Sequence, residues 1–170
     1  MDDLEFSTEI RPAIRAGDAD RVVAMLKSNP ERLNMVTPFG TWLHIAARNG
    51  QLGVVKELVS LGADVNKPGG TFESGPLNFA VSYGHFEVVR YLLAHGAEFD
   101  LSEPFRNPLF GAIYHGNLAM VKLLVEHGID IRIRYTGEVM KGTDAIAYAC
   151  EREQFEIAAY LKSLTRSDTE

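Results

Sequence analysis

Apolar residues recur at fixed positions in three similar stretches of the chain. Each stretch contains a marker glycine (Gly50, Gly84 or Gly116), and apolar residues follow it at offsets of 2, 4, 5, 8 and 9. This spacing places one apolar stripe on an α-helix, because a helix turns once every ~3.6 residues. The residues at these offsets are Leu52, Val54, Val55, Leu58 and Val59, then Phe86, Val88, Val89, Leu92 and Leu93, then Leu118, Met120, Val121, Leu124 and Val125.

A second, shorter helix is predicted before each marker glycine, with small or slim residues that allow close helix packing. A further glycine lies 12 residues after each marker, where a left-handed residue ends the longer helix. A helix hairpin this short cannot cover its apolar stripe alone, so a neighbouring copy has to pack against it. The small pairs are Ala46-Ala47, Ala80-Val81 and Ala112-Ile113, and the terminal glycines are Gly62, Gly96 and Gly128.

The marker positions extend beyond the three clear copies. Gly17, Gly50, Gly84 and Gly116 are separated by 33, 34 and 32 residues, and Glu153 lies 37 residues further on. Periods of about 20 to 50 residues indicate an array of repeated structural elements. We therefore predict five helix pairs, the first and last of them degenerate.

These stretches resemble the ankyrin repeat, whose pattern is Thr-Pro-Leu-His-x-Ala-Ala, then Gly-His, then Gly-Ala-Asp-Val-Asn. The sequence TWLHIAA at 41–47 is followed by Gly50 and by LGADVN at 61–66; Gly84-His85 with HGAEFD and Asn107-Pro108-Leu109 with HGIDI also match. The resemblance covers nearly the whole chain. It implies an all-α ankyrin-repeat solenoid of stacked helix-turn-helix units with projecting hairpin loops, and a structural role for His44 in tying neighbouring repeats.

Domain boundaries follow from this register. We predict a single ankyrin-repeat domain over 7–165, between tails at 1–6 and 166–170, with Phe155, Ile157, Ala158 and Leu161 in the core of the last repeat. Ile131, Ile133 and Tyr135 alternate with charged residues, which predicts a strand in an extended hairpin. The five repeats span approximately 7–36, 37–70, 71–102, 103–138 and 139–165.

Charge and composition restrict the partners. The net charge is −6, from 17 Lys plus Arg and 23 Asp plus Glu, which argues against nucleic-acid binding and mildly favours a basic protein partner. The single cysteine, Cys150, allows no intrachain disulfide, and its position predicts a buried packing residue. The acidic N-terminus does not resemble a secretory signal, and no apolar run approaches the ~18 residues of a membrane span. We expect a cytoplasmic monomer with no membrane partner.

Catalytic and metal-binding chemistry is not predicted. The five histidines include no pair at the i, i+4 spacing that would place two metal ligands together on a helix. The glycine-rich segment KPGGTFESGP lacks the Gly-Lys-Ser/Thr ending of a phosphate-binding loop. No nucleophile with a base can be assembled, so we expect no enzyme activity, no cofactor, no metal and no catalytic residue.

Binding residues are expected instead on the exposed surface. The resemblance implies that the two residues before each marker glycine, here called the pre-glycine residues, point into a concave groove. Tyr, Trp and Arg carry much of the energy of protein interfaces. The predicted pre-glycine contacts are Arg48, Asn49, Ser82, Tyr83, Tyr114, His115 and Arg152, and the predicted loop-tip contacts are Phe39, Trp42, Phe72, Phe105, Arg106 and Tyr135. Phe39, Phe72 and Phe105 could equally pack along the stack of loops.

The predicted function is a non-catalytic protein–protein interaction module that binds a protein partner through its concave helix face and loop tips. One alternative is an inhibitor or immunity protein that blocks an enzyme or toxin. A second alternative is a small-anion receptor or enzyme that uses the 132–142 loop, where Arg132, Arg134 and Lys141 could hold an anion; solvated loop charges also explain these residues.

Overall fold

The computed structural model describes residues 2–70, 72–137 and 140–166, and of Arg166 the backbone alone. The chain forms two compact units, residues 1–98 (the first unit) and 99–170 (the second unit). The described secondary structure is almost entirely helical. The prediction of one domain over 7–165 stays a prediction.

The first unit contains three helix pairs. Within each pair the two helices pack together, and successive pairs stack so that first helices contact first helices and second helices contact second helices. This arrangement lets each pair cover the apolar stripe of its neighbour. The helices are α1 Asp3–Ala16, α2 Ala19–Lys27, α3 Trp42–Arg48, α4 Leu52–Ser60, α5 Pro76–Ser82 and α6 Phe86–Ala94, with a short 3₁₀ turn at Pro30–Arg32.

The second unit contains two helix pairs and a small hairpin. Helix α7 (Pro108–Tyr114) contacts α9 (Ala145–Glu151), and α8 (Leu118–Glu126) contacts α10 (Phe155–Arg166). Strands β1 (Tyr135–Thr136) and β2 (Lys141–Thr143) pair antiparallel, with Tyr135 opposite Thr143. The predicted hairpin is therefore present, although its first strand is shorter than the alternating pattern suggested and leaves out Ile131 and Ile133.

The register of the five helix pairs is confirmed by backbone conformation. All four marker glycines adopt left-handed φ values between 64° and 75°. Glu153, at the fifth marker position, has φ 58° although a non-glycine residue is strained there. The left-handed backbone conformation between the two helices of a pair is thus retained at Glu153, although this residue is not a glycine.

Core positions follow the predicted offsets with one exception. The residues at offsets 4, 5 and 8 from the three clear markers are buried, and those at offsets 2 and 9 are half-buried. In the last repeat Ile157, Ala158 and Leu161 are buried as predicted, whereas Phe155 is 67% exposed. The core assignment of Phe155 is wrong, because α10 is the last described helix and no later described pair covers this offset.

The predicted N-terminal tail at 1–6 is wrong. Helix α1 already begins at Asp3, after a capping box in which Glu5 N–H donates to the Asp2 carboxylate at 2.8 Å and Asp2 N–H donates to the Glu5 carboxylate at 3.1 Å. Phe6 is fully buried, with its ring centroid 5.8 Å from that of Trp42. At the other end α10 reaches Arg166, and residues 167–170 of the predicted tail lie outside the described residues.

His44 joins successive repeats, as predicted. Its Nε2 lies 2.8 Å from the carbonyl oxygen of Ser74, 30 residues away, and its Nδ1 accepts a hydrogen bond from Thr41 N–H at 3.0 Å. The ring is fully buried, and this burial lowers its pKa below the ordinary value of 6.5. The neutral ring is therefore a structural link between α3 and the loop that precedes α5.

Candidate protein-binding surface

Trp42 does not lie on the surface, so its prediction as a contact residue is wrong. The side chain is fully buried, and its Nε1–H donates to the carbonyl oxygen of Arg32 at 2.8 Å. Phe6 packs against the indole because α1 begins earlier than the sequence pattern indicated. Trp42 is therefore part of the core between α1 and α3.

Tyr135 is also mainly structural, and its prediction as an exposed contact is wrong. Only 8% of the residue is exposed, and its ring meets Phe110 edge-on at 5.2 Å. Its hydroxyl donates to the carbonyl oxygen of Leu101 at 2.9 Å and accepts from the Asn107 amide at 3.1 Å. Burial raises the pKa of Tyr135. The side chain thus ties the hairpin of the second unit to the loop before α7.

The three loop-tip phenylalanines Phe39, Phe72 and Phe105 are about half exposed. The guanidinium carbon Cζ of Arg11 lies 5.3 Å from the ring centroid of Phe39, and that of Arg106 lies 5.9 Å from Phe105. Arg106 also forms an ion pair with Asp100 at 3.7 Å. These rings keep apolar surface in contact with solvent, which a partner could cover.

In the first unit, Arg48 and Tyr83 form an exposed stack. The Cζ of Arg48 lies 5.0 Å from the Tyr83 ring centroid, a distance typical of a cation–π contact, and Tyr83 is 51% exposed. His85 stacks on the same tyrosine at 6.5 Å, and its Nε2 lies 2.9 Å from the Arg48 carbonyl oxygen. The arginine is therefore held at both its backbone and its side chain.

The other pre-glycine residues of the first unit flank this stack. Asn49 is exposed, and its amide nitrogen donates to the carbonyl oxygen of Ile45 at 2.8 Å. Ser82 is half-buried at the end of α5. The exposure of Asn49 agrees with the expectation that packing leaves this position free, whereas Ser82 is only partly accessible. The role of both residues in binding stays a prediction.

Arg15 belongs to the same surface but was missed by sequence reasoning. It lies two residues before Gly17, just as Arg48 lies two residues before Gly50, so the marker register could have found it. Arg15 is exposed and borders a concave pocket of about 360 Å³. The other lining residues are Phe39, Ile45, Arg48 and Asn49.

The second unit repeats the pairing of an exposed tyrosine with an arginine. The Cζ of Arg152 lies 4.8 Å from the ring centroid of Tyr114 and 5.2 Å from that of Tyr148. Tyr114 is 55% exposed, and its ring meets His115 edge-on at 5.2 Å. Tyr148 is buried and stacks on Phe110. The Arg152 side chain therefore contacts an aromatic ring that is itself held in place by packing.

The 132–142 loop offers less positive charge than its sequence indicated. The Nη2 of Arg134 lies 3.2 Å from the Asp144 carboxylate, so this cation already has an anionic neighbour. The backbone N–H of Arg132 donates to the Asp130 carboxylate at 2.8 Å. Asp144 also accepts from Ala147 N–H as the cap of α9, which couples Arg134 to the helix start. Of the loop cations, Arg134 thus has a structural role through Asp144 at the start of α9.

Other chemistry-bearing residues form no compact cluster in the described part of the chain. No group of three or more His, Cys, Asp or Glu side chains within it could hold a metal ion. Cys150 is half-buried, rather than fully buried as its position predicted. None of the described helices combines the length and the apolar character that crossing a membrane requires.

Comparison with known families identifies the fold. A family model of ankyrin repeats matches three times, at residues 12–103, 43–135 and 101–169. The chain belongs to the ankyrin-repeat family and has its all-α fold. Ankyrin repeats are general protein–protein interaction modules and are typically non-catalytic.

This chain is similar to parts of several proteins of different kinds. The chain is 29% identical over 158 residues (92% of its length) to a transient receptor potential cation channel subfamily A member 1 homolog of Caenorhabditis elegans, covering 13% of that protein. It is 33% identical over 108 residues (63%) to the palmitoyltransferase AKR1 of Lachancea kluyveri, covering 15%. It is 32% identical over 127 residues (72%) to a putative ankyrin repeat protein of Fowlpox virus, covering 28%. The chain thus spans a minor part of these relatives.

Proposed function

We propose that this chain binds a protein partner, without catalysis, through its exposed pre-glycine residues and the neighbouring loop tips. The observation that carries the proposal is the exposed stack of Arg48 on Tyr83, with its counterpart of Arg152 on Tyr114 in the second unit. Tyrosine and arginine are enriched among residues that dominate interface energies. Packing of the repeats does not require either tyrosine to be exposed.

Preorganisation supports the same proposal. Arg48 is fixed by Tyr83 and His85, and Arg152 rests between Tyr114 and Tyr148. Ordering a flexible arginine on binding costs about 0.5–1.5 kcal/mol, and a side chain that is already positioned avoids much of this cost. Arginines that are already positioned on helices suit recognition of a protein partner better than catalysis.

The identity of the partner would distinguish a general interaction module from an inhibitor or immunity protein. An inhibitor or immunity protein would use the same surface and differ only in covering the working site of an enzyme or toxin. The cytoplasmic location, the monomeric state and the lack of a cofactor belong to the proposal as expectations. An anion receptor at the 132–142 loop is disfavoured by the Arg134–Asp144 ion pair.

Comparative affinity capture tests the proposal. The parent chain, the double variant Tyr83→Ala/Tyr114→Ala and the control Phe155→Ala are immobilised and exposed to lysate of the organism that encodes the chain. Phe155 is a matched control because it is an exposed aromatic residue outside the pre-glycine positions.

Quantitative mass spectrometry provides the readout. We expect a protein that is enriched by the parent and by Phe155→Ala and is lost from the double variant. An identical set of proteins on all three baits would contradict the assignment of this surface. Circular dichroism melts of the three baits establish that any loss reflects binding and not unfolding.

A further inference from the structure

The concave pocket of the first unit is positively charged although the whole chain is acidic. Its volume is about 360 Å³, and its lining includes the cations Arg15 and Arg48 together with Phe39, Ile45 and Asn49. No carboxylate occurs among these lining residues. The local charge therefore has the opposite sign to the net charge of −6.

A third cation adjoins the pocket. The Cζ of Arg11 lies 5.3 Å from the ring centroid of Phe39, which lines the pocket. Arg11 and Arg15 are four residues apart in α1, so their side chains share one face of this helix. Two arginines thus line the pocket, and a third contacts the Phe39 ring that lines it.

These three arginines form no salt bridge with the described part of the chain. Within the described ranges, no carboxylate oxygen forms a salt bridge with Arg11, Arg15 or Arg48, whereas the Nε of Arg32 lies 3.1 Å from the Asp3 carboxylate. The chain carries 23 acidic residues that could have neutralised them. Placing like charges near one another without counter-charges is unfavourable, so the arrangement suits an anion supplied from outside.

Contacts within the protein position the Arg11 side chain and the backbone of Arg15 and Arg48. Arg11 donates its Nε–H to the carbonyl oxygen of Ser7 at 2.8 Å. The carbonyl oxygen of Arg15 accepts from the Gln51 amide at 2.7 Å, and that of Arg48 lies 2.9 Å from the His85 ring nitrogen. A guanidinium carries five N–H donors, so each arginine keeps donors for a ligand.

We propose that this pocket binds an acidic segment of the protein partner, with a carboxylate side chain between Arg15 and Arg48 and an adjacent apolar side chain on the Phe39 ring. This inference rests on the proposed function. It specifies which chemical groups of the partner the first unit of the chain recognises. Guanidinium groups pair with carboxylates through two parallel hydrogen bonds, and this geometry gives specificity as well as affinity.

The charge of the whole chain does not oppose this recognition at close range. At physiological ionic strength charges are screened beyond ~8 Å, so an incoming carboxylate responds chiefly to the nearby arginines. The phosphates of a nucleic acid could also meet arginine, but an extended polyanion would encounter the net charge of −6 along its length. The structure therefore favours a short acidic peptide segment.

Selection from a random peptide library displayed on phage tests the inference. The full chain is the bait, and selected peptides are synthesised and titrated against the parent, Arg15→Glu, Arg48→Glu and Arg48→Gln. Arg90→Glu is the matched control, because Arg90 is an exposed arginine of the first unit that does not line the pocket.

The inference expects selected peptides that contain Asp or Glu beside an apolar residue. Their dissociation constants should rise about tenfold or more with Arg15→Glu or Arg48→Glu, since a charged hydrogen bond is replaced by repulsion. Arg48→Gln should weaken binding by less, Arg90→Glu should leave it unchanged, and added salt should weaken binding to the parent.

Three results would overturn the inference. The library could yield no acidic peptides, the acidic peptides could bind the charge-reversed variants as tightly as the parent, or a single-stranded oligonucleotide could bind more tightly than every selected peptide. Peptides that depend on Tyr83 but not on Arg15 or Arg48 would reject the acidic segment and retain the proposed function. Lysate capture unaffected by Tyr83→Ala/Tyr114→Ala would reject the proposed function itself.

Discussion

The imidazole of His44 lies 2.8 Å from the carbonyl oxygen of Ser74, which belongs to the next repeat. Its other nitrogen, Nδ1, accepts from the backbone N–H of Thr41 and therefore carries no proton. Nε2 then bears the hydrogen and donates it to Ser74. This arrangement uses the neutral ring, and protonation at Nδ1 would remove an acceptor inside the core.

The buried His44 predicts a loss of stability in mild acid. Burial lowers the pKa of the ring below 6.5, so below about pH 6.5 the unfolded chain binds a proton that the folded chain resists. The stability that depends on the neutral ring is therefore present above this pH and is lost as the pH falls. Thermal melts between about pH 7.5 and pH 5.5 should show a larger decrease in Tm for the parent than for His44→Gln. Equal slopes for the parent and His44→Gln would contradict this account.

Leu92→Ala should destabilise the first unit strongly. Leu92 is fully buried in α6 at the eighth offset from Gly84. Truncation of a buried leucine leaves a cavity and costs about 2–5 kcal/mol. Urea unfolding measures the free-energy change, and Tyr83→Ala serves as a control that should stay close to the parent. An unchanged midpoint for Leu92→Ala would show that the core is misplaced.

The left-handed marker positions predict opposite effects for substitutions at Glu153 and at Gly50. Glu153→Gly should stabilise the chain by about 0.5–1 kcal/mol, because relief of left-handed strain exceeds the added freedom of the unfolded state. Gly50→Ala should destabilise it, since a Cβ at Gly50 would meet the His85 ring at 2.5 Å and the residue has φ 66°. Differential scanning calorimetry of both variants provides the comparison. A lower Tm for Glu153→Gly would refute the strain argument.

Trp42 is the only tryptophan and reports directly on the packing of α1 against α3. We expect weak quenching of its fluorescence by acrylamide in the native protein and strong quenching in urea, because the indole is fully buried. Trp42→Phe removes the hydrogen bond to Arg32 and should cost about 1–3 kcal/mol. Native-state quenching as strong as in urea would contradict the burial of Trp42.

The repeat register could be predicted from sequence because it depends on local, periodic constraints. Glycines that need left-handed backbone and apolar residues at helical offsets recur with the fold itself, so even Glu153 was placed correctly. The structural role of His44 followed from the same register. The burial of residues at the ends of the array is harder to predict from sequence, since it depends on which residues pack beside them.

Whether an individual aromatic side chain is exposed depends on packing against residues that are distant in the sequence. The repeat pattern gives Trp42 no packing role and so favours a surface contact, yet Phe6 in α1 covers it. Tyr135 was assigned likewise, and its hydroxyl bonds to Leu101 across the second unit. Net charge does not reveal the pocket, because it averages over the whole surface. The marker register places Arg15 and Arg48 at equivalent positions, but it does not show that both line one concavity.

Titration of the captured partner is the most direct test of the claim that the exposed arginine–tyrosine stacks contact the partner. The purified partner is titrated into the parent, Tyr83→Ala, Tyr114→Ala and Phe155→Ala, with urea midpoints measured in parallel. We predict that Kd rises about tenfold or more for at least one tyrosine variant, stays constant for Phe155→Ala, and changes without a shift of the midpoints. Equal Kd values for all four proteins would contradict the account.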